Sequence, residues 1–255
     1  MRGYHGRDAV RHALLSDIHA NLEALDSCLE HARGEGVGAY AFLGDFVGYG
    51  ADAAAVVDRV RDYASRGAIA IKGNHDDALE RPAGYFNDQA RAALEWARET
   101  LDAGQRSFLA ALPLLVRVPP VCYVHASADR PERWNYVDSP STAAKCVAEA
   151  NETFTFCGHV HDQRLYFETP QGRMSAFVPT PGAPIPLSTR RRWLAIVGSV
   201  GQPRDRRTAA AYAVYDDERR EVTFFRVPYD ARTAADKIRR AGLPGALAHR
   251  VELGI

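Results

Sequence analysis

The stretch Ala13-Leu14-Leu15-Ser16-Asp17-Ile18-His19-Ala20-Asn21-Leu22 decides the fold. An apolar run stops at Leu15, a polar loop carrying Asp17 and His19 follows, and Asn21 then caps a pattern that sets Leu22, Leu25, Leu29 and Ala32 on one face. This reads as strand, loop and helix. The unit recurs: residues 39–43 read as a strand, 53–63 as a helix with Val56, Val57 and Val60 inward, and 68–71 as a third strand. Strands alternating with helices imply parallel pairing, and parallel sheets gather ligand sites where the loops leave the carboxyl ends of their strands.

Outward from this core, residues 87–112 have helical spacing through Leu94, Trp96, Leu101 and Phe108, interrupted near Gly104. From residue 114 the pattern changes. Residues 114–118 and 121–125 read as strands around the Pro119-Pro120 turn, 142–150 as a helix and 154–157 as a strand. Beyond His161 the chain reads as strand and turn at 165–168, 174–178, 193–197, 210–215 and 222–227, followed by a helix at 231–241 and a polar tail from Gly242. With no low-complexity linker and no internal repeat, the expectation is one domain over residues 1–255.

Composition narrows the function. Lys and Arg number 32 and Asp and Glu 32, so the chain has no net charge with neutral histidines and no bulk field to recruit nucleic acid or an anionic membrane. No run approaches the roughly 18 apolar residues of a membrane span, and the opening MRGYHGRDAVRHALLSD lacks the apolar centre of a secretory leader. A cytoplasmic location and no membrane partner are expected. Cys28, Cys122, Cys146 and Cys157 lack the paired spacing of a zinc ribbon or redox motif and read as reduced, buried thiols. The runs Arg190-Arg191-Arg192 and Arg204 to Arg207 read as solvated faces.

Nine histidines are present, and five fall in short motifs at strand ends. In order these are Asp17-Ile18-His19, Gly44-Asp45-Phe46-Val47-Gly48, Gly73-Asn74-His75-Asp76, Val124-His125 and Gly158-His159-Val160-His161. Carboxylates, an amide oxygen and neutral imidazoles suit borderline-to-hard divalent metals, and seven candidate ligands exceed what one tetrahedral ion uses. Two ions sharing a carboxylate fit this supply better.

These blocks, DIH, GDFVG, GNHD, VHAS and GHVH in that order, resemble the signature of the calcineurin-like metallophosphoesterases. The resemblance implies an α/β fold, a four-layer αββα sandwich of two mixed β-sheets flanked by helices, with a dinuclear metal site at the strand ends. It assigns Asp17, His19 and His161 to a first metal, Asn74, His125 and His159 to a second, and Asp45 as the bridge. His75 becomes the catalytic group facing substrate, with Asp76 beside it in the catalytic pair and Asn74 also touching substrate. The implied reaction is hydrolysis of phosphodiester or nucleotide phosphate esters by in-line attack of a metal-bridging hydroxide. The implied cofactors are two divalent transition-metal ions, Mn foremost, with Fe, Zn, Co or Ni compatible with the same ligands. The implied partner is a small phosphate-ester substrate, a nucleotide included.

One departure sorts the branches. Protein phosphatases read GDYVDRG in the second block, where this chain has Gly48 and Tyr49, so it is more similar to the bacterial phosphodiesterase-like branch. Phosphomonoester or protein phosphatase activity, or a non-catalytic metal-binding scaffold, are the alternatives. Arg130 is the candidate for a bidentate grip on phosphate. Substrate selection is expected in the loops at 81–86, 129–136 and 180–188.

Overall fold

The computed structural model describes residues 10–81 and 86–255. The segment before Val10, with His5, and most of the 81–86 loop lie outside the described residues. In chain order β1 is Arg11–Leu15, α1 Leu22–Gly34, β2 Ala39–Phe42, α2 Ala53–Ser65 and β3 Ile69–Ala70. A single turn, α3 (Asn74–Asp77), leads to α4 (Asp88–Thr100) and α5 (Ala103–Ala111). The second half comprises β4 (Leu115–Val118), β5 (Val121–Val124), a 3-10 turn at Pro131–Arg133, α6 (Pro140–Ala150), β6 (Phe154–Cys157), β7 (Arg164–Glu168), β8 (Met174–Phe177), β9 (Pro184–Pro186) and β10 (Trp193–Ile196). β11 (Ala210–Asp216), β12 (Glu221–Val227), α7 (Ala231–Arg240) and α8 (Gly245–Leu253) complete the set.

Two six-stranded sheets result, ordered β3-β2-β1-β11-β12-β9 and β4-β5-β6-β10-β7-β8. Both are mixed. β1 runs parallel to β2, with Leu14 opposite Ala41, and antiparallel to β11 on its other side, with Leu14 opposite Ala213. In the second sheet β6 runs parallel to β5 and β10, with Phe154 opposite Trp193.

Strand alternation builds the layers, because successive side chains point to opposite faces. Leu14, Ala41 and Leu43 from the first sheet meet Tyr123, Phe154 and Phe156 from the second in a central core, where Tyr215 lies 5.5 Å from Phe154 and 5.2 Å from Phe156 between ring centroids. Ala13, Leu15, Phe42 and Tyr212 point the other way, under α1, α2 and α4. Cys122, Cys157, Leu194 and Ile196 do the same on the far side, under Ala143, Cys146 and Val147 of α6. The four expected layers are present. The four cysteines are free and buried, and burial raises all four thiols.

Several boundaries differ from the sequence reading. The interruption of the long helical region falls at Leu101 and Asp102 rather than Gly104: Asp102 accepts from the amide of Gln105 at 2.7 Å, and the Gln105 side chain accepts from the Asp102 amide. That capping box starts a new helix. The α6 helix begins two residues early because Ser139 caps it and Pro140 suits its first turn. The polar tail is wrong: α8 buries Leu247, Ala248 and Val251 against α7 and Ala93. Strand β9 was not foreseen; its two prolines leave it an edge strand on β12.

Phe156 is buried between the two sheets, against Tyr215. Phe156→Ala is expected to lower unfolding free energy by about 3–5 kcal/mol, read from the urea midpoint at unchanged slope.

Candidate metal centre

The polar loops leave the carboxyl ends of β1, β2, β3, β5 and β6 at one end of the sandwich. They are tied to one another by the backbone. The amides of Asp17, His19 and Ala20 donate to the carbonyls of Gly44, Asp45 and Phe46 at 3.0, 2.9 and 2.8 Å, and the amides of Val200 and Gly201 donate to Ser16 and Asp17 at 2.9 Å. Asp17, His19, Asp45, His159 and His161 all have positive φ, between 49° and 72°. Such strain in non-glycine residues persists where surrounding structure over-determines it and concentrates at functional sites. Gly158 lets the second sheet's loop touch the first, since a Cβ there would collide with Ser16 Oγ and Asp17 Oδ2.

Each carboxylate has one oxygen committed and one turned toward imidazoles. Asp45 Oδ1 accepts the His75 amide at 2.8 Å, while Oδ2 lies 3.8 Å from His19 Nε2 and 3.4 Å from His125 Nε2. Asp17 Oδ2 accepts the His159 amide at 2.9 Å, while Oδ1 has no hydrogen-bond partner and lies 3.3 Å from His161 Nε2. Three histidines are fixed by carbonyls: Nδ1–H of His19, His125 and His161 donates to Val47, Leu43 and Gln202 at 3.2, 2.7 and 2.6 Å. That leaves each Nε2 facing inward, a bare acceptor wherever the ring is neutral.

Polar atoms of these side chains therefore crowd together. His19 and His161 bring their Nε2 atoms to 3.2 Å, and His125 Nε2 lies 3.1 Å from Asn74 Oδ1 and 3.2 Å from His159 Nδ1. Buried polar atoms without partners are costly, and a cation is the group that satisfies many lone pairs at once. Three sets of side chains converge closely enough to hold an ion, each with its ligand atoms within 4.8 Å of one another: Asp17, His19 and His161; Asp45, His125 and His159; and His19, Asp45 and His75. The residues fit a divalent metal. The third set brings His75 closer to the ligands than the sequence suggested.

Charge follows the geometry. Burial would raise Asp17 and Asp45, but His161 beside the one and His125 beside the other hold both carboxyls well below the usual range. Burial would lower His125, but Asp45 raises it to about 9. Burial lowers His19, takes His75 down to about 4 and takes His159 to about 3.

Asp76 does not orient His75. Its Oδ1 accepts the Phe46 and Val47 amides and its Oδ2 the Asp45 and Gly73 amides, at 2.9 to 3.3 Å, so the carboxylate clamps the Asp45 loop. Burial, with Asp45 adding to it, raises Asp76 to about 7 against these amides. The His75 ring is held instead by Tyr49 and Phe86, each 4.7 Å away between centroids, and by His19 at 4.9 Å. Its Nδ1 has no hydrogen-bond partner and lies against Gly48, where a Cβ would strike it.

A cavity of about 520 Å³ opens over the cluster, reaching Asp45, Asn74, His75, His159 and His161. Arg130 is not on its wall: the side chain is 57% exposed and pairs with Asp129 at 3.3 Å. Arg133, Arg204 and Arg250 are on the wall, together with Trp134 and Tyr136. Arg204 thus leaves the solvated run assigned to it. The 129–136 loop supplies part of the wall and Phe86 represents the 81–86 loop, but 180–188 lies along the β9–β12 edge, away from the cavity. Arg250 sits on the helix read as a tail, and no sequence signal marked it. The cluster Arg133-Trp134-Asn135-Tyr136, aromatic and basic directly after the His125 motif, was the signal available for that wall.

No helix among the described residues is long and apolar enough to cross a membrane. Comparison with known proteins places the chain in a family. An uncharacterized protein of Methanocaldococcus jannaschii, MJ0912, is 31% identical over 95% of this chain and 97% of its own length. The crystal structure of a metallophosphoesterase from Sphaerobacter thermophilus matches with a TM-score of 0.87 and 32% identity, covering 97% of this chain and 100% of that one. A hypothetical protein from Pyrococcus horikoshii, PH1004, shares the fold with a TM-score of 0.78 at 22% identity, over 96% and 99% of the two chains. Residues 10–220 match the model of the calcineurin-like phosphoesterase superfamily domain, and the chain belongs to that family of phosphoric ester hydrolases.

Proposed function

We propose that the protein hydrolyses phosphodiesters or nucleotide phosphate esters at a centre of two divalent metal ions, with Mn as the first metal to test. The observation that carries this reading is the convergence of buried carboxylates and imidazoles on the floor of a cavity whose wall is cationic. Asp17, His19 and His161 would hold one ion and Asn74, His125 and His159 the other. Asp45 would serve both, since its Oδ2 stands between His19 and His125. When bound, the ions would supply Lewis-acid stabilisation of charge developing on the phosphoryl oxygens and acidify water at neutral pH.

The chain's own residues do the rest. The carbonyls of Val47, Leu43 and Gln202 keep three imidazoles in one tautomer, so the ligands are set before substrate arrives. His75, on the cavity wall and packed by Tyr49 and Phe86, donates an N–H to the phosphoryl or leaving oxygen as the P–O bond breaks. Asp76 positions Asp45 by holding the amides of its loop. Gly48 favours the diester reading over a protein phosphatase, since the Asp of the GDYVDRG pattern is replaced by a residue without a side chain, facing His75 Nδ1.

Bis-p-nitrophenyl phosphate and p-nitrophenyl phosphate, offered to metal-stripped protein and to protein reloaded with Mn²⁺, test the proposal. Metal-dependent release from the diester in excess of the monoester is expected; release from neither ester, with Mn, Co, Ni and Zn each supplied, would leave the scaffold reading. Asp45→Ala should lose both ions in metal analysis together with essentially all turnover, and full occupancy would remove the bridging assignment. His75→Ala should retain its metal and lose about 10²- to 10⁴-fold in kcat, an outcome that unchanged turnover would contradict.

A further inference from the structure

We propose that Arg133, Arg204 and Arg250 form a second anion subsite on the cavity wall, and that the ester cleaved is a nucleotide carrying at least one phosphate beyond the scissile one. This rests on the hydrolase reading above and names its substrate class.

Three guanidinium groups reach one cavity from three separate elements: the 3-10 turn at Pro131–Arg133, the loop after β10, and α8. Guanidinium forks match phosphate oxygens in pairs, which is why arginine serves planar, bidentate phosphate recognition. Some arginines of this chain have an acidic neighbour, as Arg59 has Asp26 and Arg239 has Glu252. Arg133, Arg204 and Arg250 make no ion pair among the described residues, and Arg204 Nε is buried with no hydrogen-bond partner. The Arg204 side chain has only the neutral Gln202 Oε1, at 3.2 Å. Among the described residues Asp45 is the one carboxylate on the cavity wall, and it faces the histidine cluster. Three unpaired positive charges exceed what the single negative charge of a diester neutralises.

The aromatic side of the wall fixes the rest of the ligand. Tyr136 stacks on His159 with centroids 4.2 Å apart and planes 30° from parallel, yet it is 51% exposed. Trp134 lies 6.0 Å from His125 and is presented by a left-handed backbone at φ 55°. Exposed aromatic faces beside a phosphate site offer stacking to a base, in the way single-stranded nucleotides are held. A cavity of about 520 Å³ also accommodates far more than one phosphate group. Arg250 lies beyond residues 10–220 that match the family model, so this part of the wall comes from outside the shared segment.

Calorimetric titration of the Mn²⁺-loaded protein with two non-cleavable probes decides the matter: adenosine α,β-methylene diphosphate and the phosphonomethyl isostere of AMP. The diphosphate is expected to bind at least about tenfold more tightly. Arg204→Gln and Arg250→Gln should each weaken the diphosphate by about tenfold and the monophosphate isostere by much less, and either variant suffices if the other fails to fold. Trp134→Ala should weaken the diphosphate nucleotide while methylenediphosphonate, which has no base, keeps its affinity. Equal binding of the two probes, or equal losses for both in the arginine variants, would overturn the second subsite; equal losses for nucleotide and methylenediphosphonate in Trp134→Ala would overturn the nucleotide. Binding is read without turnover, so an inactive protein that still discriminates would remove the hydrolase reading alone, and an active one that does not discriminate would remove the subsite alone.

Discussion

The hydrogen bond from a backbone amide of one loop to a carboxylate of another is the constraint on which the rest depends. The His75 amide takes one oxygen of Asp45, the His159 amide takes one oxygen of Asp17, and Asp76 gathers four amides from two loops. Each acid is thereby oriented by a neighbouring strand end rather than by its own rotamer preference. The remaining oxygen of Asp17 or Asp45 has one direction left to it, inward. A side-chain partner in place of these amides would have its own rotamers to settle, whereas the amides are fixed by the sheets that launch them.

Such an arrangement carries a cost that the surrounding packing must cover. Buried carboxylates and imidazoles lose hydration, and left-handed backbone at Asp17, His19, Asp45, His159 and His161 adds strain. The tight central core between the sheets and the helix layers outside it supply the offset. Glycine is required where loops meet closely, as at Gly158 against Ser16 and Asp17. Stability and ligand geometry are thus set by different residues, with Phe156 and Tyr215 serving the first and the strand-end loops the second.

The sequence made legible whatever was local. An apolar run ending in Asp-x-His, or Gly-Asn-His-Asp after a short strand, states its chemistry within a few residues, and the layers follow from alternation along Ala13, Leu14 and Leu15. What was illegible depended on distance or on loop conformation. Arg130 and Arg133 stand three residues apart, and only the left-handed turns at Arg130 and Trp134 decide which faces the cavity. Arg250 reaches the site because α8 folds onto α7, and the short run Leu247, Ala248, Val251 after Pro244 gave too little periodicity to show it. The prolines of β9 masked a strand for a related reason, since they suit only an edge.

Gly158 marks the place where the two sheets touch, and its consequence reaches the assembly of the cluster. His19 meets His161 across 142 residues of chain, the His159 amide meets Asp17 across the same span, and Asn21 reaches the Gly201 carbonyl across 180. Contacts so remote in sequence close large loops, and their entropic penalty is met only after nearer contacts have formed. Two of the three convergent sets, Asp17 with His19 and His161 and Asp45 with His125 and His159, draw on both sheets. The polar cluster therefore exists only where both sheets have formed and met in register.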